Sequence, residues 1–316
     1  MSETVIATRE LEKKYGERTV VRGLDLHVRP GRAYGLLGPN GAGKTTTLRL
    51  ITGLIAPTAG TVSVFGEQLT PTNADRLRER IGVQTDTELY ATLTARENLE
   101  VWGGFYGLRR SELRRRADEV LEMMSLSDRA SSAVGSFSKG MRQKLAVGRA
   151  LLPRPHLLFL DEPTAGLDPE ATEDLIADLT TLMRDTELTV VICTHQLAGL
   201  DALCSDVGVL VGGALVAQGD IDELIARRWP TTTVRIDVAG DPAVAAALVP
   251  GAALTPTGIA VQAASDADTE RAIAALAAAG VRIHAAVPQR PTVQDLYFAT
   301  VDDARRSSID SGKAVA

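Results

Sequence analysis

Short apolar runs alternate with helical periodicity in the first part of the chain. Buried strands are predicted at Ala33–Leu37, Leu157–Leu160 and Thr189–Cys193, where such runs are bounded by polar or turn residues. The three runs are followed by Gly-Pro-Asn-Gly, Asp-Glu and Thr-His, residue types that often bind ligands or take part in catalysis. The carboxyl ends of parallel strands meet at one edge of a sheet. The pattern therefore predicts an α/β fold whose functional residues gather along that edge.

Two further regions accompany these strands. Antiparallel strands are predicted at Val5–Thr8 and Val20–Val28, where apolar and polar residues alternate. From Thr94 to Ser127 apolar residues recur every three or four positions, which predicts a helical insertion. It contains arginines interleaved with acidic residues. Such a run of arginines more commonly forms a solvated helix face. The alternative is that it forms a binding site for anionic lipid or an acidic partner loop. The arginines are Arg109, Arg110, Arg114, Arg115 and Arg116.

Pro230 marks a predicted domain boundary, beyond which the composition shifts to Ala, Val, Thr and Asp. The elements after it follow the order βαββαβ, which suits a small α+β ferredoxin-like domain. Alanine-rich helices leave a flexible tail as the alternative, but the regular apolar periodicity favours a folded domain. A closing helix is predicted at Thr292–Thr300, and disorder from Asp302. The six elements are predicted at Thr233–Val238, Pro242–Leu248, Ala253–Thr255, Ile259–Ala263, Asp266–Ala279 and Val281–Ala286.

Composition narrows the class of protein. The 316 residues are 45% hydrophobic and 23% charged, values typical of a globular protein with a sizeable core. A net charge of −6 argues against a nucleic-acid footprint over the whole surface. The sequence has only two cysteines, Cys193 and Cys204, without metal-ligand spacing, which indicates a reducing compartment and no disulfide framework. Met1–Ile6 has no signal-peptide pattern, and the apolar stretch Val207–Ala217 is too short to span a bilayer.

A phosphate-binding loop follows the first buried strand. The sequence matches G-x-x-x-x-G-K-[ST] and lies between a predicted strand and a predicted helix. Glycines let backbone N–H groups turn toward a β-phosphate, and the helix N-terminus adds partial positive charge. Lys44 is expected to reach the β- and γ-oxygens, and Thr45 to supply a hydroxyl to Mg²⁺. The loop residues are Gly38, Pro39, Asn40, Gly41, Ala42, Gly43, Lys44, Thr45 and Thr46.

Two adjacent carboxylates, Asp161 and Glu162, follow the predicted strand Leu157–Leu160. With a phosphate loop upstream, Asp161 is expected to lie beside Mg²⁺, and Glu162 to accept a proton from, or polarise, an attacking water. With these motifs the chain resembles the ATP-binding cassette (ABC) ATPases over residues 1 to about 225. The resemblance implies a P-loop NTPase cassette with an antiparallel β subdomain and a helical subdomain.

The resemblance also implies roles for residues outside the loop. Tyr15 matches the family's adenine-stacking aromatic, although a half-buried tyrosine at a strand end is the alternative explanation. Gln84 matches the glutamine that senses Mg²⁺ and the attacking water. His195 matches the switch histidine that contacts the γ-phosphate. Asp168 resembles the loop residue that couples the two nucleotide sites of a dimer.

The segment Phe137-Ser138-Lys139-Gly140-Met141 resembles the family's signature motif, whose commonest form is Leu-Ser-Gly-Gly-Gln. Ser138 and Gly140 are retained, and the resemblance implies that they cap the γ-phosphate held by the opposite protomer, with Lys139 between them. The Ser-Lys-Gly-Met form is similar to that of cassettes serving ABC-2-type exporters. The stretch Pro291–Phe298 resembles the ending of the same subgroup, with a different aromatic register.

Together these features predict the ATP-binding and ATP-hydrolysing subunit of an ABC-2-type exporter. It is expected to bind ATP and Mg²⁺ and to act as a head-to-tail homodimer with a separate membrane permease, at the cytoplasmic face of the cell membrane and without nucleic acid. Glu162, His195 and Gln84 are the expected catalytic residues. Thr45, Gln84 and Asp161 are the expected metal ligands.

The domains expected from the sequence are the cassette at residues 1–228, an accessory or regulatory domain at 229–301, and a disordered tail at 302–316. The helical subdomain is expected at about 88–150. The alternative function is an ABC ATPase without a transport role, acting on DNA or ribosomes. Such proteins carry a long coiled-coil insertion or two cassettes in one chain, and neither pattern is visible in this sequence.

Overall fold

A computed structural model describes residues 4–85, 89–197 and 199–310. Backbone proximity divides the chain into two compact units. The first contains the described residues up to Asp220 and those from Tyr297 onward, and the second is Ile221–Leu296. No helix within the described ranges is both long enough and apolar enough to cross a bilayer.

The strands and helices of the described residues include the three buried strands that the apolar pattern predicted. The strands are β1 Ile6–Tyr15, β2 Arg18–Leu24, β3 His27–Val28, β4 Ala33–Leu37, β5 Ala59–Val64, β6 Glu67–Gln68, β7 Ile81–Gln84, β8 Leu157–Asp161, β9 Thr189–Thr194, β10 Asp206–Val211, β11 Ala214–Asp220, β12 Thr232–Val238, β13 Ala253–Thr255, β14 Gly258–Ala263 and β15 Ile283–Gln289. The helices are α1 Lys44–Ile51, α2 Ala74–Arg78, α3 Ala95–Phe105, α4 Arg110–Met123, α5 Lys139–Leu151, α6 Pro169–Asp185, α7 Leu200–Leu203, α8 Ile221–Arg228, α9 Pro242–Leu248, α10 Asp266–Ala278 and α11 Val293–Asp310.

The central sheet of the first unit has the strand order β11-β10-β4-β9-β8-β7. All neighbours are parallel except β10 and β11. The strands β4 and β9 are buried along their whole length, which explains their nearly continuous apolar sequences. Because these strands run in one direction, the residues after β4, β7, β8 and β9 lie at the same edge of the sheet.

A second, antiparallel sheet of the first unit has the order β2-β1-β5-β6, with β3 also paired to β1. Its apolar residues join those of β4, β8 and β9 in one core, which includes Ile6, Leu24, Tyr34 and Phe159. This sheet corresponds to the predicted antiparallel β subdomain. It packs beside the strand that leads into the phosphate loop.

Helices α3, α4 and α5 form the helical region that the sequence predicted. Thr94 caps α3 through a reciprocal arrangement, in which Thr94 Oγ1 accepts from Glu97 N at 3.2 Å and Glu97 Oε2 accepts from Thr94 N at 2.8 Å. One of the five arginines, Arg116, is buried and donates to the carbonyl oxygens of Leu151 and Leu152 at the end of α5. Arg116 is therefore part of neither a solvated face nor a lipid site.

The second unit contains β12, α9, β13, β14, α10 and β15, in the predicted order βαββαβ. Its sheet has the order β13-β14-β12-β15 with every pair antiparallel, which is the split βαβ arrangement of a ferredoxin-like sandwich. Its core is formed by apolar side chains from the sheet and from helices α9 and α10, including Ile236, Ile259, Ala245 and Leu276.

The second unit begins at Ile221 and ends at Leu296, whereas the sequence-based domain begins at 229 and ends at 301. Helix α8, which the sequence assigned to the cassette, groups with the second unit, because Pro230 follows the end of a helix rather than the end of a domain. The prediction of disorder from residue 302 was wrong for residues 302–310, which continue helix α11. Val301 is buried, and Arg305 pairs with Asp302 one turn earlier at 3.9 Å. Residues 311–316 lie outside the described ranges.

Candidate functional site

The phosphate loop connects the end of β4 with the start of α1, as the motif requires. Gly41 and Gly43 have φ angles of +80° and +105°, which side-chain-bearing residues rarely adopt. A Cβ on Gly38 would lie 2.5 Å from the carbonyl oxygen of Leu210, and one on Gly43 would lie 2.8 Å from that of Val20. The glycines therefore permit both the turn and its close packing, and α1 directs its free N–H groups into the loop.

Lys44 is buried at the start of α1, with 6% of its surface exposed. Its Nζ donates to the carbonyl oxygens of Gly38 at 2.7 Å and Pro39 at 3.3 Å. The same ammonium lies 3.3 Å from Glu162 Oε1. A cation thus stands inside the loop, where it neutralises an adjacent carboxylate and is positioned to meet an anionic ligand.

Thr45 and Asp161 face each other between α1 and the end of β8, where Thr45 Oγ1 donates to Asp161 Oδ2 at 2.8 Å. Burial raises the pKa of Asp161 above its ordinary value, and the hydrogen bond from Thr45 opposes this effect. The second carboxylate oxygen, Asp161 Oδ1, is buried and has no hydrogen-bond partner among the described residues. Burying a polar oxygen without a partner is unfavourable, so this oxygen is suited to a ligand.

Gln84 ends β7 and is buried, with 3% exposure. Its Nε2 donates to the carbonyl oxygen of Thr85 at 3.1 Å, whereas its Oε1 has no partner within the described chain. Two unpartnered oxygens and a threonine hydroxyl at one sheet edge form the hard-oxygen donor set that Mg²⁺ prefers. The residues present therefore fit the predicted ion.

Glu162 follows Asp161 in a left-handed backbone conformation with φ +51°. Its Oε2 accepts from Thr194 Oγ1 at 2.8 Å and from His195 N at 3.3 Å, and its Oε1 lies 2.9 Å from His195 Nδ1. Burial alone would raise the pKa of Glu162. The hydrogen bonds from His195 and Thr194 and the charge of Lys44 outweigh that effect, so the pKa lies below its ordinary value and the carboxylate stays ionised at neutral pH.

The remaining predicted residues lie at helix and strand ends. Ser138 is the N-cap of α5 and accepts from Met141 N at 3.1 Å, and Asp168 is the N-cap of α6 and accepts from Ala171 N at 2.8 Å. Tyr15 ends β1, is 50% exposed and lies 5.2 Å below the ammonium of Lys13. Among the described residues, no hydrogen bond or ion pair links these three side chains to Lys44 or Glu162.

Lys139 and Gly140 begin α5. Gly140 is buried, and a Cβ on it would lie 2.8 Å from Cβ of Ala171. Lys139 lines a cleft of about 760 Å³ together with Gln84, Asp161 and Glu162. Its ammonium lies so close to Gly166 that a Cβ on that glycine would be 2.3 Å away. The signature segment of this chain thus opens onto the cleft that contains its own carboxylates.

Comparison with known proteins places this arrangement in a family. The family model for ABC transporters matches residues 21–165. The linearmycin resistance ATP-binding protein LnrL of Bacillus subtilis is 36% identical over 237 residues, which cover 75% of this chain and 76% of the relative. The daunorubicin resistance ATP-binding protein DrrA3 of Streptomyces coeruleorubidus is 36% identical over 97% of this chain and 98% of its own.

The chain belongs to the ABC transporter family. A solved structure of a dimeric bacterial ABC transporter cassette matches 68% of this chain and 98% of that one, with a TM-score of 0.61 and 28% sequence identity. The predicted cassette fold is therefore confirmed. ABC cassettes bind ATP, hydrolyse it and dimerise, so this ABC subunit is an ATPase.

One contact of the ABC site was missed by the sequence analysis. Thr194 was assigned no role from the sequence, yet its hydroxyl contacts Glu162 directly. A threonine at the end of a buried strand is ordinary for its β-propensity, so its type gave no signal. The signal that could have identified Thr194 is its position, beside His195 and at the end of the strand that pairs with β8.

Proposed function

We propose that this ABC subunit energises efflux through a separate ABC-2-type membrane permease, at the cytoplasmic face of the cell membrane. The observation that carries the proposal is the 36% identity with the daunorubicin resistance protein, which extends over 97% of this chain. It therefore includes the second unit as well as the cassette. The Ser-Lys-Gly-Met form of the signature segment supports the same subgroup.

Two copies of the chain would bind ATP between them, head to tail. Lys44 and Thr45 of one copy would hold the phosphates, and Ser138 and Gly140 of the other would meet the γ-phosphate with the free N–H groups of α5. Two features support this arrangement: Ser138 is an exposed helix N-cap, and no described bond ties it to the phosphate loop of its own chain. Because such a site is complete only in the dimer, closing would depend on ATP and opening on hydrolysis.

Within the site, catalysis would rest on positioning and charge. Thr45, Asp161 and Gln84 would hold Mg²⁺, which when bound neutralises phosphate charge. Glu162 would orient and polarise the attacking water, because its carboxylate is ionised and held between Lys44 and His195. Asp168 would couple the two nucleotide sites of the dimer, and Tyr15 would stack on the adenine.

The alternative without transport, acting on DNA or ribosomes, has less support. Both relatives described above are named for resistance to a compound. The overall charge of −6 also argues against a nucleic-acid footprint over the whole surface. For the second unit we propose an accessory role, either in supporting the dimer or in sensing a small molecule.

The experiment that tests the proposed function is affinity purification of the tagged full chain with Glu162→Gln from its native host. Hydrolysis would be blocked while ATP binding persists, so the closed complex should accumulate. With ATP present we expect a multi-span membrane protein to co-purify at a fixed ratio. The tagged Lys44→Ala variant, which should not bind ATP, is the matched control. Recovery of ribosomes or only soluble partners with a Glu162→Gln protein that dimerises in ATP would overturn the exporter assignment.

A further inference from the structure

Thr194 is the last residue of β9 and is almost completely buried, with 1% exposure. Its Oγ1 makes two hydrogen bonds, accepting from Gln196 N at 2.9 Å and donating to Glu162 Oε2 at 2.8 Å. A threonine hydroxyl carries one hydrogen. The Gln196 N–H occupies one acceptor position of the oxygen, and the Glu162 carboxylate is the acceptor that the hydroxyl hydrogen meets within the described part of the chain. The hydroxyl is thus an oriented donor.

The carboxylate that receives this bond belongs to a residue with an uncommon backbone. Glu162 has φ +51°, and such a conformation persists where surrounding contacts hold it. Its backbone N–H donates to the carbonyl oxygen of Cys193 at 2.8 Å, one residue before Thr194. The end of β9 therefore holds both the backbone and the side chain of Glu162.

The residues after β9 also contact the loop that follows Glu162. Gln196 Oε1 accepts from Thr164 Oγ1 at 3.3 Å, and Thr164 lies two residues beyond Glu162. The segment Thr194–Gln196 thus makes three contacts with the Glu162 side chain and one with the loop that follows it. Rotation of the Glu162 side chain would break the shortest of these bonds.

We propose that Thr194 is a positioning residue for ATP hydrolysis. Its hydroxyl holds one oxygen of Glu162 so that the other stays between Lys44 and His195. This inference rests on the proposed role of Glu162 at the attacking water. Thr194 acts through Glu162, and a misplaced general base or water-orienting group slows a reaction without weakening substrate binding.

The test compares three substitutions in the full chain. Thr194→Val keeps the shape and removes the hydroxyl, Thr194→Ser keeps the hydroxyl, and Thr194→Cys keeps a weak donor. For Thr194→Val we expect kcat for ATP hydrolysis to fall about 10- to 100-fold, with KM for ATP within about twofold. Thr194→Ser should restore kcat to within about threefold of the wild type, with Thr194→Cys between the two. Unchanged kcat in Thr194→Val, or equal losses in Val and Ser, would overturn the inference.

Thr189→Val is the matched control. Thr189 lies at the opposite end of the same strand, has 1% exposure, and its hydroxyl accepts from Gly31 N at 2.9 Å. The Thr189→Val substitution should leave kcat for ATP hydrolysis unchanged. Thermal unfolding of every variant checks folding, and if Thr194→Val does not fold, the order of Ser and Cys carries the test.

A second measurement separates this inference from the proposed function. In a Glu162→Ala background, Thr194→Val should cause no further loss of kcat, because its target is gone. A further loss there would show that Thr194 acts by another route and would overturn the inference. Full turnover in Glu162→Ala alone would instead contradict the proposed role of Glu162. An inactive Glu162→Ala with an active Thr194→Val would contradict only the inference.

Discussion

Thr45 Oγ1 donates to Asp161 Oδ2 at 2.8 Å, although 116 positions separate the two residues in the chain. The bond joins the start of α1 to the end of β8. It aligns a hydroxyl with a carboxylate whose other oxygen is buried and unpartnered in the described structure. An ion at this place would meet ligands already oriented by each other, which reduces the reorganisation that binding requires.

Thr45→Val should therefore impair hydrolysis by removing a metal ligand. We expect kcat to fall about 100- to 1000-fold and higher Mg²⁺ concentrations to be required, while binding of a fluorescent ATP analogue in EDTA changes little. The matched control is Thr47→Val in the same helix. Thr47 is fully buried and its hydroxyl has no partner among the described residues, so its loss should leave turnover intact. Equal activity in the two variants would contradict the metal assignment.

Much of this site was predictable because chemistry at the ends of parallel strands leaves a local signature. Lys44 and Thr45 belong to a contiguous motif, and Asp161 and His195 each follow an apolar run. The direction of parallel strands then brings these ends together. Ser138 and Asp168 are expected to act at the nucleotide site of a second copy. Their distance from that site is set by the dimer interface, which local sequence motifs do not describe. The structure adds that both are helix N-caps.

The arginine run shows where sequence patterns lose information. Arg114, Arg115 and Arg116 have the same chemistry, and helical periodicity does not reveal which one faces the end of another helix. Arg116 is buried, while the side chain of Arg115 is 65% exposed and lies 3.5 Å from Glu119. The end of α11 was missed for a related reason. Its last turns are polar and resemble disordered sequence, although side-chain pairs one turn apart support a helix.

Arg116→Ala should strongly destabilise the protein. Arg116 donates to the last carbonyl groups of α5, and its Nη1 lies 3.0 Å from Glu119 Oε2. Removing it would leave buried acceptors unpaired, at a cost of about 2–4 kcal/mol in the free energy of unfolding. Urea denaturation measures the change. Arg115→Ala is the control and should cost under about 0.5 kcal/mol, because Arg115 is exposed. Similar values for both would contradict the capping role of Arg116.

Glu97 should make the stability of α3 depend on pH. Hydrogen bonds from the backbone N–H and hydroxyl of Thr94 lower the pKa of Glu97 below its ordinary value. A lowered pKa means that the charged form stabilises the fold above the pKa of the unfolded chain. That contribution is lost as the pH falls through the folded pKa.

Unfolding temperatures measured from neutral pH to about pH 3 test this expectation. In Glu97→Gln the decline with acid should be shallower than in the wild type, because no carboxylate remains at the cap to be protonated. Glu187→Gln, at an exposed residue outside any helix or strand, should follow the wild-type curve. A wild-type decline retained in full by Glu97→Gln would contradict the assignment.

Gly258→Ala should destabilise the second unit selectively. A Cβ at this position would lie 2.0 Å from the carbonyl oxygen of Ile236 on the neighbouring strand β12. The strands would have to separate, which should cost about 1–3 kcal/mol. Hydrogen exchange should then accelerate in β12, β14 and β15 while β4, β8 and β9 keep their protection. Leu254→Ala on β13, where the side chain is 63% exposed, is the control and should change little. If exchange accelerated equally in β4 and β12, the two units would unfold together, and the second would not be a separate cooperative element.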